Sequence, residues 1–544
     1  MPLRKEDMST DQPPRTASLP PSDEGAPDPR QLRAILISVS IALMAVIASV
    51  SGLNVAQTHM AVEWGASQTT VLWIINIYTL ALAALLLPLG AIGDRLGRKP
   101  MLITGLIIFG AAGVVAGLAP SAAVMIGARV AAGVSAAIIM PITLSVITST
   151  FPEEQRGKAI GVWTGVAGGG GILGMFLSAL LVDVADWRWL FVLPVALAAV
   201  ALAMTLRSVP DSRDHATHPF DTVGALLSSL AVIGLIFVLQ EGPERGWGDP
   251  VTLTGLTIGV IASAVFVGWE LRRRDASLLD VRLFRERGLA GGSLTLLVVF
   301  GVQAGIAVVL FPFFQAVLGW SGLLSTLAMM PMAVMMMITS GLAPRMAAAT
   351  GARSTMSTGI ALSTLGLALM ALFVSVDGGY LSLLPGMLAM GIGMGLAMTP
   401  STEAITSSLP RAKQGVASAL NDVTRELGTA LGVALLGALV AGGYRSAIDG
   451  KLAGIPQEAA DTAREGIANA VEVAPATGTH APSLVDAAQQ SFVDGWQQAM
   501  WAGVAVMAAL LVYVALRGPR NTAPRPADDE PAPAATATEN AAAR

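Results

Sequence analysis

The sequence predicts an all-α integral membrane protein with fourteen spanning helices, and its composition and patterning support this fold class. Hydrophobic residues make up 53% of the 544 residues and charged residues only 13%, against about 25% charged in an average soluble protein. The apolar residues occur in long runs, and the basic residues cluster between those runs. A water-soluble core cannot account for so much apolar sequence, so the predicted solvent is a lipid bilayer.

A run of about 20 mostly apolar residues is long enough to cross the hydrocarbon layer as a helix. Eight such runs precede a basic linker, near residues 34–56, 69–92, 101–119, 121–143, 160–182, 190–207, 221–240 and 250–271. Six follow it, near 289–317, 322–343, 355–375, 380–402, 415–441 and 492–516. We predict a six-helix bundle over 34–207, two inserted helices with the basic linker over 208–288, and a second six-helix bundle over 289–516.

The segments outside these runs are predicted to be tails and one long external loop. Residues 1–33 and 517–544 are rich in Pro, Ala, Ser, Thr and Asp. Both segments offer too little apolar surface to offset the entropy of ordering, so we predict disordered tails. The loop 442–491 contains a stretch, 456–473, whose composition suits a short surface helix as well as an irregular loop.

The positions of the basic residues predict the orientation of the chain. Of the 33 Lys and Arg residues, 26 lie in the two tails and in the loops on the same side as the tails. Cytoplasmic loops of membrane proteins carry an excess of Lys and Arg, so both termini are predicted to be cytoplasmic, in the plasma membrane. The densest basic cluster, in the linker 272–287, either sets the topology alone or also binds anionic lipid headgroups.

The residue types that are missing exclude several functions. The chain has no cysteine, which rules out disulfides, thiolate metal sites and thiol catalysis. No nucleophile with a nearby base, metal-ligand spacing or nucleotide-binding motif can be found in the sequence. We therefore predict no enzyme activity, no cofactor, no metal and no nucleic-acid partner, and we expect a monomer.

A tight turn after the second predicted span carries one carboxylate and three cations. Gly90, Asp94 and Gly97 provide the turn and the acid, and the cations are Arg95, Arg98 and Lys99. This loop resembles the signature G-x-L-a-D-R-x-G-R-K of the major facilitator superfamily, with Ile92 and Gly93 in place of Leu and Ala. The resemblance implies a charge-paired contact that holds the cytoplasmic side closed, with Asp94 accepting hydrogen bonds from helix N-terminal amides.

The fourth predicted span carries Arg129, followed by a face of small residues that includes Gly133. A cation at membrane depth costs about 2.5 to 3.5 kcal/mol on insertion scales, so it normally pairs with a polar group and marks a functional site. The alternative is an arginine that snorkels to the outer surface. The segment resembles the second motif of the family, with Ala132 where the family has glutamine.

The fifth predicted span is rich in glycine, including Gly165, Gly170 and Gly174. Small residues four apart allow two helix backbones to approach closely. The span resembles the antiporter motif of the family, g-x-x-x-G-P-x-x-G-G. The end of the span departs from the motif, because Met175, Ser178 and Ala179 stand where the motif has Pro, Gly and Gly. This departure weakens the inference of antiport.

Further marks lie in the segments 187–191, 220–221, 315–319, 400–403 and 421–428. They resemble the fourteen-helix drug:proton antiporter branch of the family, and the resemblance implies a substrate cavity. Its candidate residues are Ser49, Asn54, Asn76, Tyr78 and Gln315. By this resemblance, Ser49 stands where many relatives carry an aspartate, and Asn76 stands where relatives that export cations often carry one. A cavity without those charges lacks the Coulomb partner of a cationic substrate, so neutral or anionic amphiphiles are the expected substrates.

The thirteenth predicted span supplies Asp422, Arg425 and Glu426. The two acids either exchange the coupling protons or form a polar face at a helix start beside a snorkelling arginine. A cluster of methionines between 329 and 337 either lines an adaptable hydrophobic site or packs against other helices.

The leading prediction is a secondary transporter that exports hydrophobic or amphiphilic small molecules in exchange for protons, by alternating access. The absent carboxylates leave room for a second hypothesis, the movement of lipids or lipid-linked metabolites without proton coupling. A third hypothesis, from another functional class, is a membrane receptor or scaffold with a transporter fold. The intact Asp94 turn and Arg129 argue against the third.

Overall fold

Within the described part of the chain, fourteen helices of the computed structural model are long and apolar enough to cross a membrane. The structure describes residues 28–53, 57–184, 186–212, 219–273 and 276–519. All regular secondary structure in these ranges is helical. The predicted all-α fold with fourteen spans is therefore confirmed.

The N-terminal bundle contains six spanning helices and the short helix α2. Ser67 and Ser121 cap two of them, because each hydroxyl accepts a hydrogen bond from the backbone N–H three residues later and so satisfies an orphan donor of the first helical turn. The helices are α1 Pro29–Gly52, α2 Gln57–Trp64, α3 Gln68–Leu96, α4 Arg98–Gly117, α5 Ala122–Thr150, α6 Glu153–Val184 and α7 Val192–Ser208.

Two inserted helices, α8 Thr222–Arg245 and α9 Pro250–Arg273, separate this bundle from the second one. The C-terminal bundle consists of α10 Arg287–Pro312, α11 Gly322–Thr350, α12 Ala352–Phe373, α13 Gly379–Ser407, α14 Gln414–Ile448 and α17 Ala481–Arg517. Two short helices, α15 Gln457–Glu465 and α16 Ile467–Val473, lie between α14 and α17.

The two bundles meet along two seams. In one seam α6 packs on α11, and in the other α3 packs on α14. The second seam is a contact between backbones, since a Cβ at Gly90 would lie 2.6 Å from the carbonyl oxygen of Gly415 and a Cβ at Gly415 would overlap the carbonyl oxygen of Gly90. Only glycine allows helices to approach this closely.

The inserted helix α8 lies across the seam between α3 and α14, because it packs against both. Ile236 of α8 is buried in an apolar cluster with Leu80 of α3, and Leu427 of α14 packs against the same cluster. Its partner α9 exposes a broad apolar face, including Leu253, Leu256 and Val260, as expected for a helix that faces lipid.

An even number of spans places both ends of the described chain on one side of the membrane. We call this the terminal side, and we call the opposite side the loop side because it carries residues 449–480. The loops after α3, α5, α7, α9, α11 and α13 lie on the terminal side.

The structure corrects several predicted boundaries. Residues 29–33 are helical and not part of the predicted tail 1–33, because Asp28 caps α1 and Pro29 occupies its first turn. The loop predicted over 442–491 is shorter, since α14 continues to Ile448 and α17 begins at Ala481. The hydroxyl of Tyr444, on the extra turns of α14, donates to the carbonyl oxygen of Ala463 at 2.8 Å and so anchors the loop.

The stretch 456–473, for which one short helix was considered, contains two helices, α15 and α16. The helix α2 was not predicted. Residues 1–27 and 520–544 lie outside the described residues, so the tails predicted there stay predictions.

Candidate functional site

Asp94, at the terminal-side end of α3, joins the two bundles. Its carboxylate accepts hydrogen bonds from the backbone N–H of Gly415, at 2.8 Å to each oxygen, and from that of Val416 at 3.3 Å. Both amides belong to the first turn of α14, whose N–H groups have no helical partner, and a carboxylate there also interacts favourably with the helix dipole. Arg98 Nη2 forms an ion pair with Asp94 Oδ1 at 3.1 Å and completes the contact. We call Asp94, Arg98, Gly415 and Val416 the latch.

The other predicted residues of this turn surround the latch. The Nε of Arg98 donates to Ser145 Oγ of α5 at 2.7 Å, and its Nη2 donates to the carbonyl oxygen of Arg411 at 3.5 Å. Gly97 has a φ of 104°, a backbone conformation that favours glycine and lets α3 and α4 meet at a sharp turn. The guanidinium of Arg95 lies over the Phe220 ring, 5.4 Å from its centroid.

Arg129 is almost completely buried among three helices of the N-terminal bundle. Its Nη1 donates to the Oγ and the carbonyl oxygen of Ser49 at 3.0 and 3.3 Å, and its Nε donates to the carbonyl oxygen of Ile74 at 3.4 Å. The guanidinium lies 4.2 Å from the ring centroid of Tyr78. With 1% of its surface exposed, Arg129 does not snorkel. No carboxylate in the described ranges forms an ion pair with it.

Asp422 and Arg425 lie where α14 faces the other bundle. Asp422 is fully buried, and its Oδ1 accepts from Asn421 Nδ2 at 3.1 Å and from Arg425 Nη1 at 3.4 Å. The Arg425 guanidinium lies 4.4 Å from the Phe300 ring and 5.6 Å from the Trp163 ring. Trp163 belongs to α6, so Arg425 contacts both bundles and does not snorkel.

One face of α14 carries polar atoms that have no hydrogen-bond partner in the described structure. They are buried and follow helical spacing along the chain: Ser418 Oγ, Asn421 Oδ1, Asp422 Oδ2 and Arg425 Nε. Buried polar groups are nearly always hydrogen-bonded, so this row marks a face of α14 that can accept further polar partners, including water. Glu426, half-buried on the same helix, forms no ion pair or hydrogen bond with the described residues.

The predicted cavity residues do not all come together. Ser49 binds Arg129 directly, and Tyr78 is buried between α1 and α5, within electrostatic reach of both Arg129 and Glu426. Asn76 is half-buried, two residues after Ile74 on α3. Gln315 lies elsewhere, exposed in a short π-helical turn, 313–317, that follows α10 at the loop side. Asn54 lies outside the described residues.

The predicted packing glycines occupy close helix contacts. A Cβ at Gly133 would lie 2.5 Å from the carbonyl oxygen of Tyr78, which brings α5 against α3. A Cβ at Gly170 would lie 3.1 Å from Met44, and one at Gly174 would lie 3.2 Å from the Cα of Ala48, both on α1. Gly165 faces α11 instead, where an added Cβ would lie 3.5 Å from the Cα of Met337.

The glycine-rich helix α6 therefore contacts α1 within its own bundle and α11 across the seam. The methionine cluster lies on α11, where Met329, Met332 and Met336 are buried. A Cβ at Gly168 would lie 2.9 Å from Met336. These contacts are those expected for the packing interpretation of the cluster.

Sequence reasoning missed the aromatic neighbours of Arg425, Phe300 and Trp163. The indole Nε1 of Trp163 donates to Thr143 Oγ1 at 3.0 Å, which fixes the ring against α5. A tryptophan inside a glycine-rich span was the available signal, since such a large ring needs a dedicated space. Within the described ranges, no three His, Asp or Glu side chains are grouped closely enough to hold a metal ion.

Comparisons with known proteins now identify the family. The sequence model of the Major Facilitator Superfamily matches residues 39–433. The chain belongs to the major facilitator superfamily. The family and the relatives below are transporters, which confirms the predicted transporter function.

Several bacterial relatives from this superfamily match most of the chain. The multidrug efflux pump LfrA of Mycolicibacterium smegmatis is 32% identical over 505 residues, which cover 91% of this chain and 96% of that protein. The tetracenomycin C resistance and export protein of Streptomyces glaucescens is 31% identical over 519 residues, covering 92% of this chain and 94% of that protein.

Solved structures of the superfamily share the fold at low sequence identity. The proton:xylose symporter XylE, bound to 6-bromo-6-deoxy-D-glucose, matches with a TM-score of 0.57 at 14% identity, covering 90% of this chain and 96% of that one. The human organic anion transporter MFSD10 matches with a TM-score of 0.54 at 14% identity, covering 89% and 100%.

Proposed function

We propose that this transporter exports hydrophobic or amphiphilic small molecules across the plasma membrane in exchange for protons, with the terminal side in the cytoplasm. The observation that carries the proposal is the buried polar face of α14, where Asp422 and Arg425 lie between the two bundles with unsatisfied polar atoms. Relatives named for multidrug efflux and for antibiotic export support the substrate class and the direction. The excess of basic residues on the terminal side supports the orientation.

Alternating access requires a side that opens and closes, and the latch supplies a contact that must break. The latch holds α3 of one bundle to α14 of the other. In the conformation that the structure describes, the terminal side is therefore closed between these helices. Opening toward the cytoplasm separates α3 from α14 and leaves the first turn of α14 without its carboxylate cap.

Proton binding at Asp422 would change the charge balance between the bundles. Two unit charges about 4 Å apart attract by about 4 kcal/mol at an effective dielectric constant of about 20. Protonation of Asp422 removes this attraction from Arg425, whose guanidinium also contacts Trp163 of the other bundle. Arg425 is then free to bind another acceptor, and the contact across the seam changes with it.

The surroundings of Arg129 favour neutral or anionic substrates over cations. Its hydrogen bonds go to a serine hydroxyl and to two backbone carbonyl groups, none of which cancels its charge. A positive charge without an ionic partner repels a cationic substrate and attracts an anionic one. We propose that one chain is the transporting unit, because both bundles and both seams belong to it.

The test measures substrate-driven proton movement in proteoliposomes that contain the purified protein. Asp422→Asn, Glu426→Gln and the double variant are compared with the parent, and Asp486→Asn serves as a control because Asp486 is exposed on α17. We expect the control to keep the parental rate and the double variant to lose proton movement. A double variant that exchanges protons at the parental rate would refute the assignment to α14.

A further inference from the structure

The terminal-side ends of the two inserted helices hold a pair of carboxylates that the proposed transport cycle does not use. Asp221 caps α8, and Glu270 lies in the last turn of α9. Both side chains are buried, and Glu270 has no exposed surface. The carboxylates adjoin the same small space, since a Cβ at Gly224 would overlap Glu270 Oε1 and lie 2.8 Å from Asp221 Oδ2.

The hydrogen bonds around this pair leave one oxygen without a donor. Asp221 accepts from the backbone N–H of Gly224 at 2.9 Å and from Trp269 Nε1 at 3.0 and 3.2 Å. Glu270 Oε2 accepts from the backbone N–H of Leu279 at 3.2 Å. Glu270 Oε1 is buried and has no partner in the described structure, an arrangement that is costly for a carboxylate. A proton on Oε1 would turn it into a donor toward Asp221.

The two cations that the structure describes near the pair do not replace that proton. Arg273 Nη1 lies 3.8 Å from Asp221 Oδ1, and its side chain is 30% exposed. Lys413 is within electrostatic reach of Glu270, but its Nζ donates to the carbonyl oxygen of Ser277 at 2.9 Å. Neither cation forms a hydrogen bond with Glu270.

The pair also sits beside both halves of the latch. Ser277 and Leu279 belong to the linker after α9, and Lys413 immediately precedes α14, so Glu270 and Lys413 both hydrogen-bond to the same linker. Phe220, next to Asp221, contacts Arg95 at the end of α3. One end of the inserted hairpin therefore touches α3 and α14 at the point where they separate during transport.

We propose that Asp221 and Glu270 share one proton and form a clamp that stabilises the conformation closed at the terminal side. Both are positioning residues, because they act through the linker and Phe220 on the latch and touch no substrate. The proposal requires alternating access of this fold but neither proton coupling nor a particular substrate. Its failure would therefore leave the proposed function untouched.

The test uses spin labels in the full chain, which has no native cysteine. Leu96→Cys on α3 and Ala412→Cys before α14 are both exposed and lie on opposite sides of the seam. Pulsed electron paramagnetic resonance of the protein in nanodiscs then gives the ratio of closed to open conformations at the terminal side.

Carboxyl-to-amide variants distinguish a shared proton from two required charges. Glu270→Gln and Asp221→Asn each supply an N–H in place of the proton, so each should keep the closed-to-open ratio within about twofold of the parent. In the double variant the amide oxygens stay on the N–H donors of Gly224, Trp269 and Leu279, so the two NH₂ groups face each other. The ratio should then shift toward open by about tenfold or more. Gly224→Ala should act like the double variant, and Gly268→Ala, which meets open space, should act like the parent.

Each outcome decides the proposal. A double variant with the parental ratio would overturn it, and so would single variants that are as open as the double variant. Closure that is lost in the single variants and depends on sodium concentration in the parent would identify a cation site instead. If the double variant does not fold, Glu270→Ala replaces it, and Glu270→Ala must open the seam while Glu270→Gln does not.

Discussion

The latch makes a quantitative prediction about the balance between closed and open conformations. Asp94→Asn removes the charge that caps α14 and pairs with Arg98 while keeping the size of the side chain. Gly415→Ala attacks the same contact sterically, because the added methyl group would overlap the carbonyl oxygen of Gly90 and lie 2.8 Å from the Asp94 carboxylate. Both variants should favour opening at the terminal side.

The magnitude follows from the contacts that are lost. Removal of an N-terminal cap costs about 0.5 to 2 kcal/mol. Removing the Asp94 charge also leaves the buried Arg98 guanidinium without its ionic partner, which adds a cost. That cost is reduced because Arg98 keeps its hydrogen bonds to Ser145 and to the carbonyl oxygen of Arg411. We expect Asp94→Asn to destabilise the closed conformation by about 2 kcal/mol, which shifts the ratio roughly 30-fold.

The spin-label pair at positions 96 and 412 measures this shift, and substrate binding is measured in parallel. Asp249→Asn is the matched control for charge, since Asp249 caps α9 through the N–H of Val251 at 2.9 Å and crosses no seam. Gly437→Ala is the control for size on α14, because a Cβ there meets open space. Parental distances in both Asp94→Asn and Gly415→Ala would refute the assignment of the latch.

Two further predictions concern Arg129 and the orientation of the chain. Arg129→Ala should reduce transport at least about tenfold with unchanged abundance in the membrane. Arg129→Lys should restore little, because lysine lacks the planar fork that reaches Ser49 and Ile74 together. Near-parental transport by the alanine variant would contradict this role. Ser446→Cys, exposed on the loop side, should react with an impermeant thiol reagent on intact cells, and Ser212→Cys only after permeabilisation; the reverse labelling would overturn the proposed orientation.

Hydropathy predicted the spans well because the length of an apolar run alone decides whether it crosses the bilayer. Helix ends followed other rules. The start of α1 depends on the Asp28 cap, and the extra turns of α14 are held by a hydrogen bond from Tyr444 to the loop. Neither interaction changes the apolar content of a run, so a hydropathy reading places these ends several residues away.

The candidate site was predictable residue by residue but not as a set of contacts. The sequence singled out Asp94, and its partner Gly415 is 321 positions away, a pairing that only the packing of the two bundles creates. Arg129 was expected to have a polar partner, and the structure provides the hydroxyl of Ser49. Gln315 was assigned to the cavity because of its sequence motif. A motif does not show how far α10 extends toward the loop side.

The measurement that tests proton-coupled export most directly is uphill substrate transport driven by an imposed pH gradient. Purified protein is reconstituted in liposomes, and accumulation of a neutral amphiphile is followed with the gradient, without it, and after a protonophore collapses it. Coupled export predicts accumulation above the equilibrium level only while the gradient lasts. Equal distribution of the amphiphile under all three conditions, by a protein that still moves it across the membrane, would contradict coupling and identify a uniporter.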